Sequence, residues 1–344
     1  MLYFAGMKII NGLENYIPSG GHSFVALGAF DGIHPGHVKL IEMMVAKASE
    51  SEGESIVLTF QPHPRSFVSS SGPVGMINSQ EEKAAIMESL GVDTMLVLNF
   101  DSALASMPPG EFASSVLREK LRAEEVFVGF NFCFGANRSG NASILTELGE
   151  HFGFRVSVFG GVEVAGFVVS SSKIRLLIEA GAVDDVIKFM GRPYFLTGKV
   201  VEGDGLGNKL NFPTANITIL EKDKIVPKNG VYIVKCAIRG KIYNGLMNIG
   251  TRPTVYEKRS TLVTFELHII GFSGNIYDET IRAVFLKRIR DERRFHDFHA
   301  LREQISNDLE EASDYFAQES EGAQDGCQET YFRECKGLLN LFGT

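Results

Sequence analysis

Short apolar runs alternate with longer amphipathic stretches through the first half of the chain. Val25–Phe30, Ser55–Phe60, Thr94–Leu98, Glu125–Val128 and Arg155–Phe159 have the length and β-branched content of buried strands. Between them Val38, Ile41, Val45 and Ala48 recur on one helical face, and Glu81–Leu90, Pro109–Leu121 and Ala142–Phe152 carry similar patterns. Strands alternating with helices at this spacing predict an α/β domain with a parallel sheet covered on both faces.

The rhythm changes after Gly191-Arg192-Pro193. Tyr194–Glu202, Gly230–Ile238, Lys241–Gly250, Leu262–Ile270 and Thr280–Phe285 follow with turn signals such as Lys228-Asn229-Gly230 between them. In the fourth run Val263, Phe265, Leu267 and Ile269 face one way, and Thr264, Glu266 and His268 the other. Few helical stretches intervene, which predicts a small antiparallel β-barrel. A last helix is expected from about Phe298 to Phe316, and the polar stretch Gln318–Glu329 is expected to be flexible. The pattern thus divides the chain into domains at 1–186 and 187–317, followed by a flexible tail at 318–344.

Composition changes this picture little. The 344 residues are 44% hydrophobic and 22% charged, as in an ordinary globular protein, and length favours two domains. A net charge of −8 gives no general attraction to nucleic acid or to an anionic membrane, though it leaves room for local phosphate pockets. No run reaches the roughly 18 apolar residues of a spanning helix, and Met1–Ile10 has no signal-peptide pattern. Cys133, Cys236, Cys327 and Cys335 lack metal-ligand spacing and suit free thiols in a reducing, cytoplasmic setting.

The candidate chemistry begins at Gly28-Ala29-Phe30-Asp31-Gly32-Ile33-His34-Pro35-Gly36-His37, where a strand hands over to a helix. A helix N-terminus offers unpaired N–H groups and a positive dipole end to an anion, and glycines let a ligand approach the main chain. Two imidazoles there can donate to phosphoryl oxygens, whose transfer is mostly a matter of positioning and charge stabilisation. The common Gly-x-x-x-x-Gly-Lys-Ser/Thr phosphate loop does not occur. Ser170-Ser171-Ser172-Lys173-Ile174-Arg175 combines hydroxyls, a helix start and a guanidinium fork that matches phosphate, although serines before a helix also serve as plain caps. Gly129-Phe130-Asn131-Phe132-Cys133-Phe134-Gly135 could frame a flat ligand or belong to the core.

The second half has its own candidates. Gly203-Asp204-Gly205-Leu206-Gly207 is a Gly-rich turn able to close over phosphates, or a simple hairpin turn. Thr214 and Asn216, two apart on an extended backbone, aim hard oxygen donors to one side, as Mg²⁺ requires. Glu266, on the polar face of an alternating strand, could take a proton from a substrate hydroxyl; a solvent-facing barrel residue would carry the same pattern.

These segments resemble the prokaryotic bifunctional riboflavin kinase/FMN adenylyltransferase family, also called FAD synthetases. Gly28–His37 matches its nucleotidyltransferase signature, Phe60-Gln61-Pro62-His63-Pro64 its Pro-His-Pro segment, and Ser170–Arg175 its second ATP motif. Gly191-Arg192-Pro193-Tyr194 resembles its domain junction, Pro213-Thr214-Ala215-Asn216 and Asn248–Thr254 its kinase signatures, and Arg290-x-Glu292 with Leu301–Asp308 its last strand and helix. The resemblance implies a Rossmann-like nucleotidyltransferase domain followed by a riboflavin kinase barrel, with ATP as co-substrate, Mg²⁺, and riboflavin, FMN and FAD as substrates or products. It implies that His34, His37, Ser171, Ser172 and Arg175 handle ATP phosphates, with Gly28, Phe30, Asp31 and His63 at the same centre and Asn131 on the FMN side. It implies Thr214 and Asn216 at Mg²⁺–ATP, Glu266 as base toward the ribityl hydroxyl, and Gly205, Gly207, Asn248 and Arg290 among the ligand-binding residues. Cys133 replaces the family's usual Arg, and Asn211 its usual Gly. Expected partners are the small-molecule substrates, with transient contact to apo-flavoproteins; a monomer is favoured, with the oligomeric state left open by the sequence. A single-activity adenylyltransferase with an impaired kinase domain, and a non-catalytic flavin-binding protein, are the competing readings.

Overall fold

The computed structural model describes residues 6–68, 74–203, 212–253 and 261–322. The chain divides into two compact units, Met1–Ser171 and Ser172–Thr344.

In the first unit the strands are β1 (Lys8–Asn11), β2 (Ser23–Leu27), β3 (Glu54–Gln61), β4 (Thr94–Asn99), β5 (Ala123–Gly129), the short pairs β6 (Cys133–Phe134) with β7 (Gly140–Asn141), β8 (Arg155–Phe159), and the pair β9 (Glu163–Val164) with β10 (Phe167–Val168). Six of them form one sheet in the order β1-β4-β3-β2-β5-β8, every pairing parallel. The helices are α1 (Pro35–Glu50), α2 (Pro64–Val68), α3 (Gln80–Ser89), α4 (Ser102–Ser106), α5 (Pro109–Glu111), which runs on as a π-wound stretch over Phe112–Lys120, and α6 (Ala142–Phe152). The β2 strand is buried along its whole length, which explains why its sequence reads as a continuous apolar run rather than an alternation. Val25, Leu27, Ile56, Leu58, Leu96 and Val126 pack against Phe112, Val116 and Leu117 in one core. Asn141 caps α6 by accepting from the Ile144 N–H, and Gly153 ends it at φ +80°. The β1 strand falls outside the sequence expectation because it lies at a sheet edge, mostly exposed, and leaves no apolar signature.

The second unit contains α7 (Ser171–Ala180) from Ser172 on, α8 (Val183–Met190) and a closed barrel of β11 (Tyr194–Val201), β12 (Ala215–Ile219), β13 (Gly230–Ile238), β14 (Lys241–Pro253), β15 (Thr261–Ile269) and β16 (Thr280–Arg290), followed by α9 (Phe298–Gly322). The barrel order is β11-β12-β15-β14-β13-β16, all antiparallel, and closes where β11 pairs with β16. On α8, Val183, Val186, Phe189 and Met190 are buried, and this helix packs on β16. The expected domain boundary between 186 and 187 therefore falls inside a helix. Ala312 and Phe316 of α9 join Phe195, Val231, Ile233, Leu246, Val284 and Leu286 in the barrel's core cluster. The flexible stretch expected from Gln318 needs correction at its start. The α9 helix continues to Gly322, and Lys235 holds Glu319 in a half-buried ion pair of 2.8 Å. The remainder, 323–344, lies outside the described residues.

Arg290 and Asp308 tie the last strand to the last helix. Asp308, 4% exposed, accepts from Arg290 Nε at 2.9 Å and Nη2 at 2.7 Å, and from Gln304 Nε2 at 2.9 Å. Removing one member of such a buried pair strands the other charge, at a cost of about 3–5 kcal/mol. Asp308→Ala should destabilise the full-length protein by that amount in thermal or denaturant unfolding. A loss below about 1 kcal/mol would put the pair in the class of exposed ion pairs.

Candidate active sites

The loop between β2 and α1 departs from ordinary backbone geometry. Phe30 has φ +46°, Gly32 +86° and Ile33 +30°, and the Phe30 and Ile33 side chains are buried. Positive φ is uncommon outside glycine and an outlier for a β-branched residue, with a cost on the order of 1–3 kcal/mol each. Neighbouring groups hold it in place. The buried Asp31 carboxylate accepts from the backbone N–H groups of Ile77 (3.0 Å) and Asn78 (3.1 Å). The Ala29 carbonyl accepts from Thr59 Oγ1 (3.1 Å) and Lys83 Nζ (3.4 Å), and the Asp31 carbonyl accepts from Ser171 Oγ (2.7 Å).

The loop delivers His34 as the N-cap of α1, with Pro35 in the first helical position. His34 and His37, one turn apart, stack with ring centroids 3.8 Å apart and planes at 16°, and Phe30 meets His37 edge-on at 5.2 Å. Gly36 matters here: a Cβ at this position would stand 3.3 Å from the His34 ring, so a larger residue would press on the stack. Two imidazoles at the positive dipole end of a helix make an anion-binding arrangement. The sequence had brought these residues together as a motif, and the structure brings together Phe30, Asp31, His34, His37 and Ser171. Gly28 lies where β2 ends, its N–H donating to the Leu58 carbonyl.

Other predicted residues sit as follows. His63, before α2, is half-buried, and its Nδ1 accepts from the Arg65 N–H at 3.1 Å. Asn131 is exposed in the turn after β5, with the exposed Cys133 Sγ 3.8 Å from its carbonyl. The aromatic residues around it divide: Phe134 stacks on Phe132 and belongs to the core, whereas Phe130 is 52% exposed. On α7, Arg175 is buried and Ser172 half-buried.

In the barrel, register assembles the second site. Glu266 on β15 lies directly opposite Asn216 on β12 and Asn248 on β14. Directly opposed residues share a face, so the three polar side chains form a row across adjacent strands, all half-buried. Phe265 and Leu267, flanking Glu266, are buried on the other face. Gly203 lies against Asn216 so closely that a Cβ there would overlap the amide group. His268 Nδ1 lies 2.8 Å from the Pro213 carbonyl, fixing the segment that leads through Thr214 into β12. Two residues from Glu266 along β15, Thr264 pairs with Gly250, which lies against Glu292; Asn229 Nδ2 donates to that carboxylate at 3.1 Å. Arg290 is committed to Asp308. Gly205, Gly207 and Asn211 lie outside the described residues.

No cluster of three or more His, Cys, Asp or Glu side chains suited to a metal ion occurs among the described residues. The donors on offer are the Thr214 hydroxyl, the Asn216 amide oxygen and one carboxylate, Glu266. That set fits Mg²⁺, which is commonly held by few protein oxygens and completed by substrate phosphates and water.

Lys83 carries no signal of its own in the sequence, and Asp308 shows there only as the end of the Leu301–Asp308 segment, not as the partner of Arg290. Lys83 lies in a helix whose polar residues suggest a solvent-facing surface, yet it is fully buried. Burial pushes its ammonium below the usual lysine range, and the Asp31 charge opposes the shift.

The family model described as FAD synthetase matches residues 18–173, and that described as riboflavin kinase matches residues 190–316. A Bacillus subtilis protein named bifunctional riboflavin kinase/FMN adenylyltransferase is 35% identical over 86% of this chain and 93% of its own length. One of the same name from Buchnera aphidicola is 31% identical over 90% of this chain and 99% of its own length. A solved Streptococcus pneumoniae structure, described as a macrolide-efflux protein, superposes with a TM-score of 0.80 at 29% identity, covering 88% of this chain and 98% of that one. Among the described residues no helix is long and apolar enough to cross a membrane.

Proposed function

The chain belongs to the bifunctional riboflavin kinase/FMN adenylyltransferase family, and from that premise we propose how its residues divide the work. The enzyme phosphorylates riboflavin to FMN with ATP, then transfers an adenylyl group from ATP to FMN, giving FAD and pyrophosphate. The observation that carries the kinase assignment is the Asn216–Glu266–Asn248 row, which puts one carboxylate on a rigid strand beside amide donors.

In the adenylyl transfer, His34 and His37 stabilise charge developing on the ATP phosphates, with Ser171, Ser172 and Arg175 in phosphate-binding roles. The helix start they occupy and the stacked ring geometry support this reading. Asn131, His63, Gly28 and Phe30 belong to the same centre, and Asp31 acts on the loop rather than on the ligand. In the kinase step, Glu266 takes the proton of the terminal ribityl hydroxyl as it attacks the γ-phosphorus. Thr214 and Asn216 would hold Mg²⁺, which would supply charge screening of the phosphates, and Asn248 orients the substrate beside the base. Arg290 acts through Asp308 on the barrel's shape. Because α8 packs on β16, its residues go with the kinase half. Riboflavin, ATP and Mg²⁺ incubated with the protein should give FMN and ADP first, then FAD and pyrophosphate; absence of either pair would leave a single-activity enzyme.

His37→Ala should lower FAD formation from FMN by roughly 10²-fold or more, taking about 3 kcal/mol as the scale for one lost donor to developing charge. FMN formation by the same protein should be unchanged. Equal loss of both activities in folded protein would remove His37 from the adenylyl-transfer centre.

Glu266→Gln keeps shape and hydrogen bonding but cannot accept the proton. Positioned proton transfer contributes about 10²–10⁴-fold. FMN formation should fall by that factor in kcat with little change in KM, and FAD formation from supplied FMN should persist. More than about a tenth of wild-type kinase kcat would assign the proton to another group.

The two substitutions together test the division of labour. A mixture of full-length His37→Ala and Glu266→Gln proteins should make FAD from riboflavin, each supplying the step the other lacks. Failure of the mixture, with each variant retaining its own remaining step, would mean FMN does not pass between molecules.

A further inference from the structure

Four buried polar side chains cluster beside the strained loop, and the two reactions assign a role to only one of them, Asp31. The others are Asn78, Glu82 and Lys83, all 3% exposed or less. Asn78 donates to Glu82 at 2.8 Å, and Ser79 caps α3 by accepting from the Glu82 N–H, so this end of the helix is firmly built. From it the chain grips the loop twice. The Ile77 and Asn78 N–H groups hold the Asp31 carboxylate, and the Lys83 ammonium reaches the Ala29 carbonyl. Between the two grips lies Phe30 at φ +46°, and beyond them Ile33 at +30°.

We propose that Lys83 is a positioning residue for adenylyl transfer, which with Asp31 fixes the Ala29–Ile33 backbone so that the His34–His37 ring pair is held at the start of α1. The proposal rests on the assignment of that pair to ATP phosphates. A buried ammonium is a costly way to fill space, since an apolar side chain of similar volume would avoid its desolvation. What the ammonium adds is a directed hydrogen bond to Ala29 and a countercharge for Asp31, at the two positions that bracket a strained residue. Displacement of a catalytic group by about 1 Å can cost 10²-fold in rate, so the grip matters at a distance from the chemistry.

The test uses full-length Lys83→Met and Lys83→Arg, with FMN formation in the same chain as the internal control for folding. Lys83→Met should lower kcat for FAD formation by roughly 10²-fold, with a much smaller rise in KM for ATP, while FMN formation stays at wild-type rate. Lys83→Arg should restore most of the loss. In ¹⁵N spectra of the eight histidines, the ring signals of His34 and His37 should move in Lys83→Met and the others stay. FAD formation within threefold of wild type, or unmoved His34 and His37 signals, would overturn the proposal. Should Lys83→Met not fold, Lys83→Gln decides on the same readouts, with a loss of at least about tenfold expected and wild-type behaviour overturning it. A wild-type protein that makes no FAD from FMN and ATP would defeat the functional assignment, and the histidine signals would then still decide whether Lys83 holds the ring pair.

Discussion

Strand register is the constraint on which the kinase half depends. Alternate residues of a strand face opposite sides, so a slip of one residue on β15 would turn Glu266 into the core and Phe265 outward. The slip is prevented on both sides, by nine consecutive pairings with β14 and three with β12. The apolar residues Phe265, Leu267 and Ile269 specify the same register from within, because all three must be buried together. Packing and chemistry therefore agree on one alignment. Burying the hydrophobic face aims the carboxylate, and no separate device is needed to place it.

The adenylyl-transfer half solves the same problem by other means. Its histidines follow a loop that no ladder supports, with backbone torsions that a free chain would avoid. Precision there comes from side chains that satisfy main-chain groups: Asp31 on two N–H groups, Thr59 and Lys83 on one carbonyl, Ser171 on another. Both devices fix polar groups before any ligand arrives, and preorganised groups are where electrostatic stabilisation derives its effect.

Elements with a strong period were legible from the sequence. Ala142–Phe152 and Gly230–Ile238 have the bounds that periodicity gives them, and the β15 alternation holds from Phe265 to Ile269 while Val263 is exposed. Edge strand β1 was not legible, since an exposed edge needs no apolar pattern. The extension of α9 was obscured by its polar, Ser- and Glu-rich composition, which reads as disorder when the packing of Ala312 and Phe316 just before it is unknown. Site residues that form motifs were visible as residue types, but their mates were not. Nothing in the sequence says that Asn216 meets Glu266, because that pairing is long-range, or that Lys83 is buried, because its helix is covered on a face where charges usually meet water.

The order β11-β12-β15-β14-β13-β16 also has a kinetic meaning. The meander β13–β14–β15 joins strands adjacent in sequence, whereas the seam joins Tyr194 to Phe285 and Asn216 must find Glu266 across a shorter but still non-local gap. Closure entropy rises with the length of chain enclosed, and non-local contacts slow folding. On these grounds the meander is the inexpensive part of the barrel and the seam the slow part. Asn248 and Glu266 would then be paired early on the meander, with Asn216 arriving only as the barrel shuts, so that the polar row is completed in the same event that gives the domain its final topology.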